Sequence, residues 1–549
     1  MKIKLYSKKN KNILLICLLI FSFAVEAQIS YFYYVQLKDK NDTPYSLSNP
    51  SEYLSARAIA RREDFKISID STDLPVNPAY VSQIENLSVN VHNKSKWMNG
   101  LTIMITDTSI LSQVRALPFV SFIEFTGENN GPLLAKAQNA KQDSTSYGIT
   151  DTQINQLNGK YLHNLGYKGK GIQIAVIDGG FSNVNVNHAF DSLRLQGRLL
   201  GIKDVINPAV DFYSTDAHGA MVLSIMTGNI PGQYLGSAPE ASYWLIRTEY
   251  VPTEYKVETD YWCTGIEFAD SVGVDVVNSS LGYFTFYNPT MNFTYADMTG
   301  KVSRASRAAE IAAKKGIVVV VSAGNEGNDD WHYIGSPADA DGIITVGAVT
   351  TSGNKSTFTS YGPSFDGRVK PEVCAVGTST ALINIAGVPT YGNGTSFSSP
   401  LMAGMMACLL QLYKANNPNP DIQTLLNSVF KSGNSYLNPT DSLGYGIPNL
   451  VLAEQYLPIG NTTLNPDTNS TDIFTLSYNY KYNSMLIKFV KSDNLKNASI
   501  RIYNMSGRII YNKFVTSDKD INTYYFPAGI YAIRVSNNGK SQTRKIFIH

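Results

Sequence analysis

Three residues stand where a side chain can do chemistry. Asp178 closes the apolar run IQIAVI and opens a Gly-Gly turn. Ligands in open α/β sheets bind outside the carboxyl ends of strands, so an acid there can reach a site while partly buried. His218 and Gly219 head the apolar run AMVLSIMTG. Ser396 lies in YGNGTSFSSP (391–400), just before the apolar stretch LMAGMMACLLQLY. A serine at a helix N-terminus sits in the positive end of the dipole, which favours a developing oxyanion. Pro400 suits the first helical turn, where its missing N–H costs nothing. Ser398 and Ser399 read as small packing or capping residues. Each candidate also has a plainer explanation: an Asp capping a turn, a His packed in a core, a Ser capping a helix. Taken together, Asp, His, Ser is one of the chain orders in which serine hydrolases carry orienting acid, base and nucleophile. VVVVSAGNEG adds Asn325 in a glycine-flanked loop, where an amide NH2 can donate to a tetrahedral intermediate.

These residues need a scaffold. From about Tyr147 to Leu457, apolar strands alternate with helical patterns, which predicts an α/β fold with a doubly covered, mostly parallel sheet. IQIAVI (172–177), VDVVN (274–278), IVVVVSA (317–323) and IITVGAV (343–349) are near-continuous apolar runs, as buried parallel strands are. SRASRAAEIAAKKG (303–316) predicts a helix with Gly316 at its C-terminal cap. LMAGMMACLLQLY is apolar on all sides and predicts a core helix, with Ala403, Gly404 and Ala407 allowing close backbone approach.

Two smaller regions flank this domain. Residues 28–126 read as β-α-β-β-α-β, a small α+β pattern. A polar insert between Lys40 and Leu74 contains SARAIARRED, whose arginines read as a solvated helix face. Residues 127–146 lack periodicity and read as an exposed, protease-accessible linker. Residues 458–470 read as a second linker, and 471–549 as short alternating strands of a β-sandwich.

Composition limits the remaining options. The chain has 549 residues, 43% hydrophobic and 16% charged, with a net charge of +2. The lysines of the first 27 residues supply the excess, so no nucleic-acid footprint is expected. A lysine-rich start, the apolar run Ile13–Val25 and VEA before a cut after Ala27 read as a signal peptide, 1–27. Cys17 leaves with it, so of Cys263, Cys374 and Cys408 at least one is unpaired or bridges chains. HExxH, paired CxxC, GxxxxGK[ST] and GxSxG are all absent, which removes the usual signatures of zinc proteases, P-loop enzymes and nucleophile-elbow hydrolases.

Over residues 147–457 the sequence closely resembles the subtilisin-like serine peptidases, the subtilases. GTSFSSP satisfies the family's serine signature in full. HG with Val222 matches the histidine signature, with Ala220 where Thr is usual. VIDGG matches the aspartate signature, with Gly179 where Thr, Ser, Asp or Ala is usual. NSSLG (278–282) matches the substrate-binding strand, SAGNEG the oxyanion loop, and GYGIPN (444–449) the closing turn. The resemblance implies a secreted serine endopeptidase with Asp178, His218 and Ser396 as catalytic triad and Asn325 as oxyanion donor. Ser280, Leu281 and Gly282 would pair with an extended peptide substrate. No cofactor is required for this chemistry. Family members often bind structural calcium, but no loop here is assigned to it, and NEGNDD (325–330) reads as a solvated turn.

The N-terminal region resembles the family's inhibitory propeptides, which implies a zymogen and makes the chain's own propeptide its first partner. ASIRIYNMSGRIIY and the ending FPAGIYAIRVSNNGKSQTRKIFIH resemble the C-terminal sorting domain of type IX secretion. That implies export through the periplasm of a Gram-negative bacterium by this machinery, to the medium or the cell surface. The alternatives are a catalytically silent subtilase-fold binding or adhesion protein, another serine hydrolase such as an esterase, and an adhesive role for the sandwich.

Overall fold

The computed structural model describes residues 29–129, 147–459 and most of 474–548. The signal-peptide and linker readings at 1–27, 130–146 and 460–470 lie outside the described residues.

The central feature is a seven-stranded sheet. Its order is Val373–Val376, Ile344–Val349, Val318–Ser322, Val276–Ser279, Gln173–Asp178, Ser242–Arg247 and Leu199–Asp204. Every neighbouring pair is parallel. Val276, Val277 and Val318–Val321 are wholly buried, because helices cover both faces. The chain enters at Gln173–Asp178, runs to the edge strand Leu199–Asp204, returns to Ser242–Arg247 between the two, then crosses to Val276–Ser279 and builds outward on the other side. Asp178 therefore ends a strand at the point where strand order reverses, the place where such sheets leave a crevice.

The helix Thr395–Asn416 packs against four of these strands and against the helix His218–Thr227. Leu401 through Leu410 carry almost no exposed surface, as the all-round apolar pattern predicts. The helix starts earlier than expected. Gly394 is its N-cap, so Ser396 lies inside the first turn and Pro400 inside the helix, not at its first position. Helix Arg304–Lys314 forms as read, and Gly316 just beyond it has φ +86, a conformation glycine adopts without strain.

The N-terminal region is a four-stranded antiparallel sheet, ordered Asn90–Ser95, Gly100–Ile105, Ser30–Leu37, Val120–Asn129. Alternation along its strands gives it two apolar faces. Val35, Leu101 and Ile103 pack under its own helices Pro78–Glu85 and Leu111–Ala116. Phe32 and Tyr34 point the other way and join one core with Tyr261, Trp262 and Ala269 of the helix Val257–Val272.

The arginine-rich insert corrects the reading of a solvated face. It forms the helix Ala56–Asp64, in which Arg61 and Arg62 are only 2% and 1% exposed. Arg61 pairs with Asp270 at 2.5 Å, and Arg62 with Asp270 at 2.8 Å and Asp73 at 2.9 Å. Lys96 also meets Asp270, at 3.0 Å, and Lys315 meets Asp73, at 2.7 Å. The acid that holds both arginines is over two hundred residues away in sequence, so no local pattern announces it.

The C-terminal unit, Pro458–His549, stands as its own compact body. It has a three-stranded sheet (Phe474–Asn479, Ser484–Phe489, Lys519–Asn522) and a four-stranded one (Ile509–Val515, Ala498–Tyr503, Gly529–Asn537, Lys540–Ile548). Both are antiparallel, and Phe474, Met485, Ile487, Ile500, Ile502 and Ile533 fill the core of this unit. Cys263, Cys374 and Cys408 are all free, buried thiols.

Candidate functional site

Asp178 is wholly buried at its strand end, and His218 opens a helix beside it. His218 Nδ1 lies 2.8 Å from Asp178 Oδ1. The helix is held in place by Asp216, whose Oδ1 accepts the His218 backbone N–H at 2.7 Å. Gly219 lets it come this close. A Cβ there would sit 2.5 Å from the Gly180 carbonyl oxygen and 2.8 Å from Asp178 Cβ. Burial by itself would lower the His218 pKa. The charge of Asp178, its hydrogen bond and the nearby Asp216 outweigh that, so the imidazole is held above its ordinary 6.5.

Asp178 Oδ1 also accepts the Gly179 N–H at 2.8 Å, while its Oδ2 is buried with no hydrogen-bond partner. Gly179, the next residue, offers no side chain to that oxygen.

Ser396 lies in the first turn of the Thr395–Asn416 helix. The ring of its neighbour Phe397 lies 6.0 Å from the His218 ring, centroid to centroid. Asn325 reaches the same turn. Its Oδ1 accepts the Thr395 backbone N–H at 2.9 Å and the Thr395 hydroxyl at 3.1 Å. With Oδ1 so engaged, the Nδ2 group is the part of the amide left to donate elsewhere.

Ser280 donates its hydroxyl to the Ser396 carbonyl at 2.9 Å. Leu281 is half-buried against the core, Gly282 is exposed, and Tyr283 beyond them bridges Ser336 through backbone bonds of 2.7 and 3.0 Å. Ser398 returns its hydroxyl to the Thr395 carbonyl. Ser399 does more than pack: it donates to Asn278 Oδ1 at 2.8 Å, and Asn278 Nδ2 in turn reaches Ser280 Oγ at 3.2 Å. Sequence reading missed Asn278, Asp216 and Thr395 as supports. Their roles depend on which loops meet, which local spacing does not encode.

The other described histidines stand apart from this arrangement. His163, for example, is fixed by Tyr147 and the Ser237 carbonyl, and burial lowers it to about 4. Among the described residues no group of three or more His, Cys, Asp or Glu could hold a metal ion. In NEGNDD, Glu326 instead accepts the Asn325 N–H and the Ser360 hydroxyl. No described helix is long and apolar enough to cross a membrane.

Residues 169–446 match the model of the subtilase family, peptidase family S8. The chain belongs to the subtilase family. This subtilase also carries, at 32–145, a peptidase S8 propeptide domain of the Bacteroidota type and, at 470–549, a secretion-system C-terminal sorting domain. It is 28% identical over 368 residues to Subtilisin NAT of Bacillus subtilis subsp. natto, covering 66% of this chain and 83% of that one. Serine protease AprX of Bacillus subtilis (strain 168) is 29% identical over 324 residues, covering 53% and 67%. A solved structure of MycP1 with its N-terminal propeptide removed aligns at 21% identity and a TM-score of 0.43, covering 56% of this chain and 98% of that one. The subtilase is thus a serine endopeptidase with a propeptide, secreted or displayed at the surface of a Gram-negative bacterium.

Proposed function

We propose that this subtilase cuts peptide bonds through an acyl-enzyme formed on Ser396. His218 Nε2 takes the Ser396 Oγ proton as the oxygen attacks the scissile carbonyl carbon. Asp178 keeps the other ring nitrogen protonated and stabilises the imidazolium. The amide of Asn325 and the Ser396 backbone N–H receive the oxyanion. His218 then gives its proton to the leaving amine. Water attacks the ester by the same route and restores Ser396. Ser280–Gly282 hold the substrate backbone in strand-like pairing. The observation that carries this reading is the 2.8 Å contact between His218 Nδ1 and a wholly buried Asp178, with the ring of Phe397, next to Ser396, 6.0 Å from the His218 ring.

The same reading makes residues 28–126 an intramolecular inhibitor, cut within 127–146, and residues 471–549 the address read by the type IX machinery. The buried contacts of Phe32 and Tyr34 with the helix Val257–Val272 support the first role. No cofactor takes part in the steps above.

A fluorophosphonate probe tests the nucleophile. The processed protein should label and lose peptidase activity together, and Ser396→Ala should do neither. Labelling that persists in Ser396→Ala removes Ser396 as nucleophile. An unlabelled, inactive wild type would favour the silent binding protein.

A further inference from the structure

Three glutamates crowd the edge of the candidate site with no described cation paired to them, Lys256 being paired with Glu124 instead. Glu249 and Glu258 are 7% and 1% exposed, and Glu254 is half-buried. No described lysine or arginine forms an ion pair with any of them, although the buried acids Asp270, Asp204 and Asp260 all have one. Glu249 accepts the Tyr283 hydroxyl and, at 3.3 Å, the Thr248 hydroxyl. Glu258 Oε1 accepts the Tyr250 N–H at 3.0 Å, while its Oε2 is buried without any partner. The charges that bear on Glu258 are those of Glu249 and Glu254, so the carboxyl that carries the vacant oxygen lies close to both.

The position is as telling as the charge. Thr248 donates its N–H to the Asp178 carbonyl at 3.1 Å, which places Glu249 directly beyond the catalytic candidate. A Cβ on Gly179 would lie 3.5 Å from Glu249 Cβ. Tyr283 follows Gly282, the end of the segment read as the substrate strand. An extended chain already rests on this rim. The propeptide strand Val120–Asn129 crosses it so closely that a Cβ on Gly127 would lie 2.8 Å from Tyr255 Cβ, between Glu254 and Glu258 in sequence.

We propose that Glu249, Glu254 and Glu258 form a specificity pocket for a lysine or arginine side chain of the substrate, on the side of the scissile bond held by Ser280–Gly282. A buried acid without a partner is costly, and a substrate ammonium or guanidinium supplies the missing donors. Burial raises all three carboxyls, Glu254 to about 7, and a bound cation would act in the opposite direction. This inference rests on the peptidase reading above and adds the class of substrate.

The test uses the processed, secreted enzyme, with active sites counted by fluorophosphonate labelling. Peptides carry lysine, arginine or norleucine at each of the four positions on either side of the scissile bond. At one of the positions preceding that bond, lysine or arginine should raise kcat/KM over norleucine by about tenfold or more. In Glu249→Gln/Glu258→Gln that ratio should fall to near one per labelled site. Glu254→Gln, at the half-buried rim, gives the second variant should the double one fail to fold, and it should reduce the ratio. A labelled wild-type enzyme with no basic preference overturns the pocket and leaves the peptidase reading intact. So does a preference that survives in the labelled variants. Absence of labelling in the wild type overturns the peptidase reading itself.

Discussion

The hydroxyl of Ser280 donates to the backbone carbonyl of Ser396 at 2.9 Å. This bond answers a problem set by Pro400. In an α-helix the Ser396 carbonyl would accept from residue 400, but proline has no N–H. Ser280 supplies the missing donor and so ties the substrate-strand segment to the turn that carries the candidate nucleophile.

Removing that tie should cost measurable stability. Ser280→Ala leaves a carbonyl without a donor beside a residue only 5% exposed, a loss of about 1–3 kcal/mol. Adding Pro400→Ala returns an N–H to the helix. The double variant should therefore be more stable than the sum of the single changes predicts, in urea unfolding of the Ser396→Ala protein. Strict additivity would mean that the two sites are not coupled in this way.

The His218–Asp178 contact fixes a pH dependence. Catalysis needs the neutral imidazole, so kcat/KM should fall as pH drops through a His218 pKa held above 6.5. Asp178→Asn removes both the charge and the hydrogen bond that raise this pKa, leaving burial to lower it. The acidic limb of the profile should move to lower pH, with kcat down by about 10⁴-fold from loss of the correct tautomer. A limb that stays in place would show that Asp178 does not set the titration.

Asn325 holds Thr395 and, on the proposed mechanism, donates to the oxyanion, and substitution can separate the two. Asn325→Asp keeps an oxygen for the Thr395 N–H but loses the amide donor. It should keep the fold and lose about 10²–10³-fold in kcat with little change in KM. A loss confined to KM would argue against an oxyanion role.

The propeptide interface is held by buried charge. Burial pushes the Asp270 carboxyl up, but Lys96, Arg61 and Arg62 together hold it well below its ordinary 3.8. A depressed carboxyl adds stability above its unfolded pKa and loses it only as pH falls through the folded value. Mild acid, down to roughly pH 4, should therefore leave this network intact. Arg62→Ala should not be so benign. It removes one of the cations from a buried acid, a loss of about 3–5 kcal/mol in urea titration of the Ser396→Ala zymogen. An unchanged midpoint would show that the network contributes nothing to docking.

By itself the sequence singled out the candidate chemistry-bearing residues and determined the class of scaffold. Apolar runs such as IVVVVSA are legible because a strand covered on both faces must be apolar throughout. GTSFSSP is legible because a glycine turn, a hydroxyl and a helix start must be contiguous in the chain. What joins distant segments was not legible. The burial of Arg61 and Arg62, the placing of Pro400 within the helix, and the meeting of Glu249, Glu254 and Glu258 beside Asp178 all depend on partners far away in sequence or on how loops meet. Periodicity reports which face of an element is apolar, but not which charged or polar group lies across it. That was decided only when the sheet and its covering helices brought the partners together.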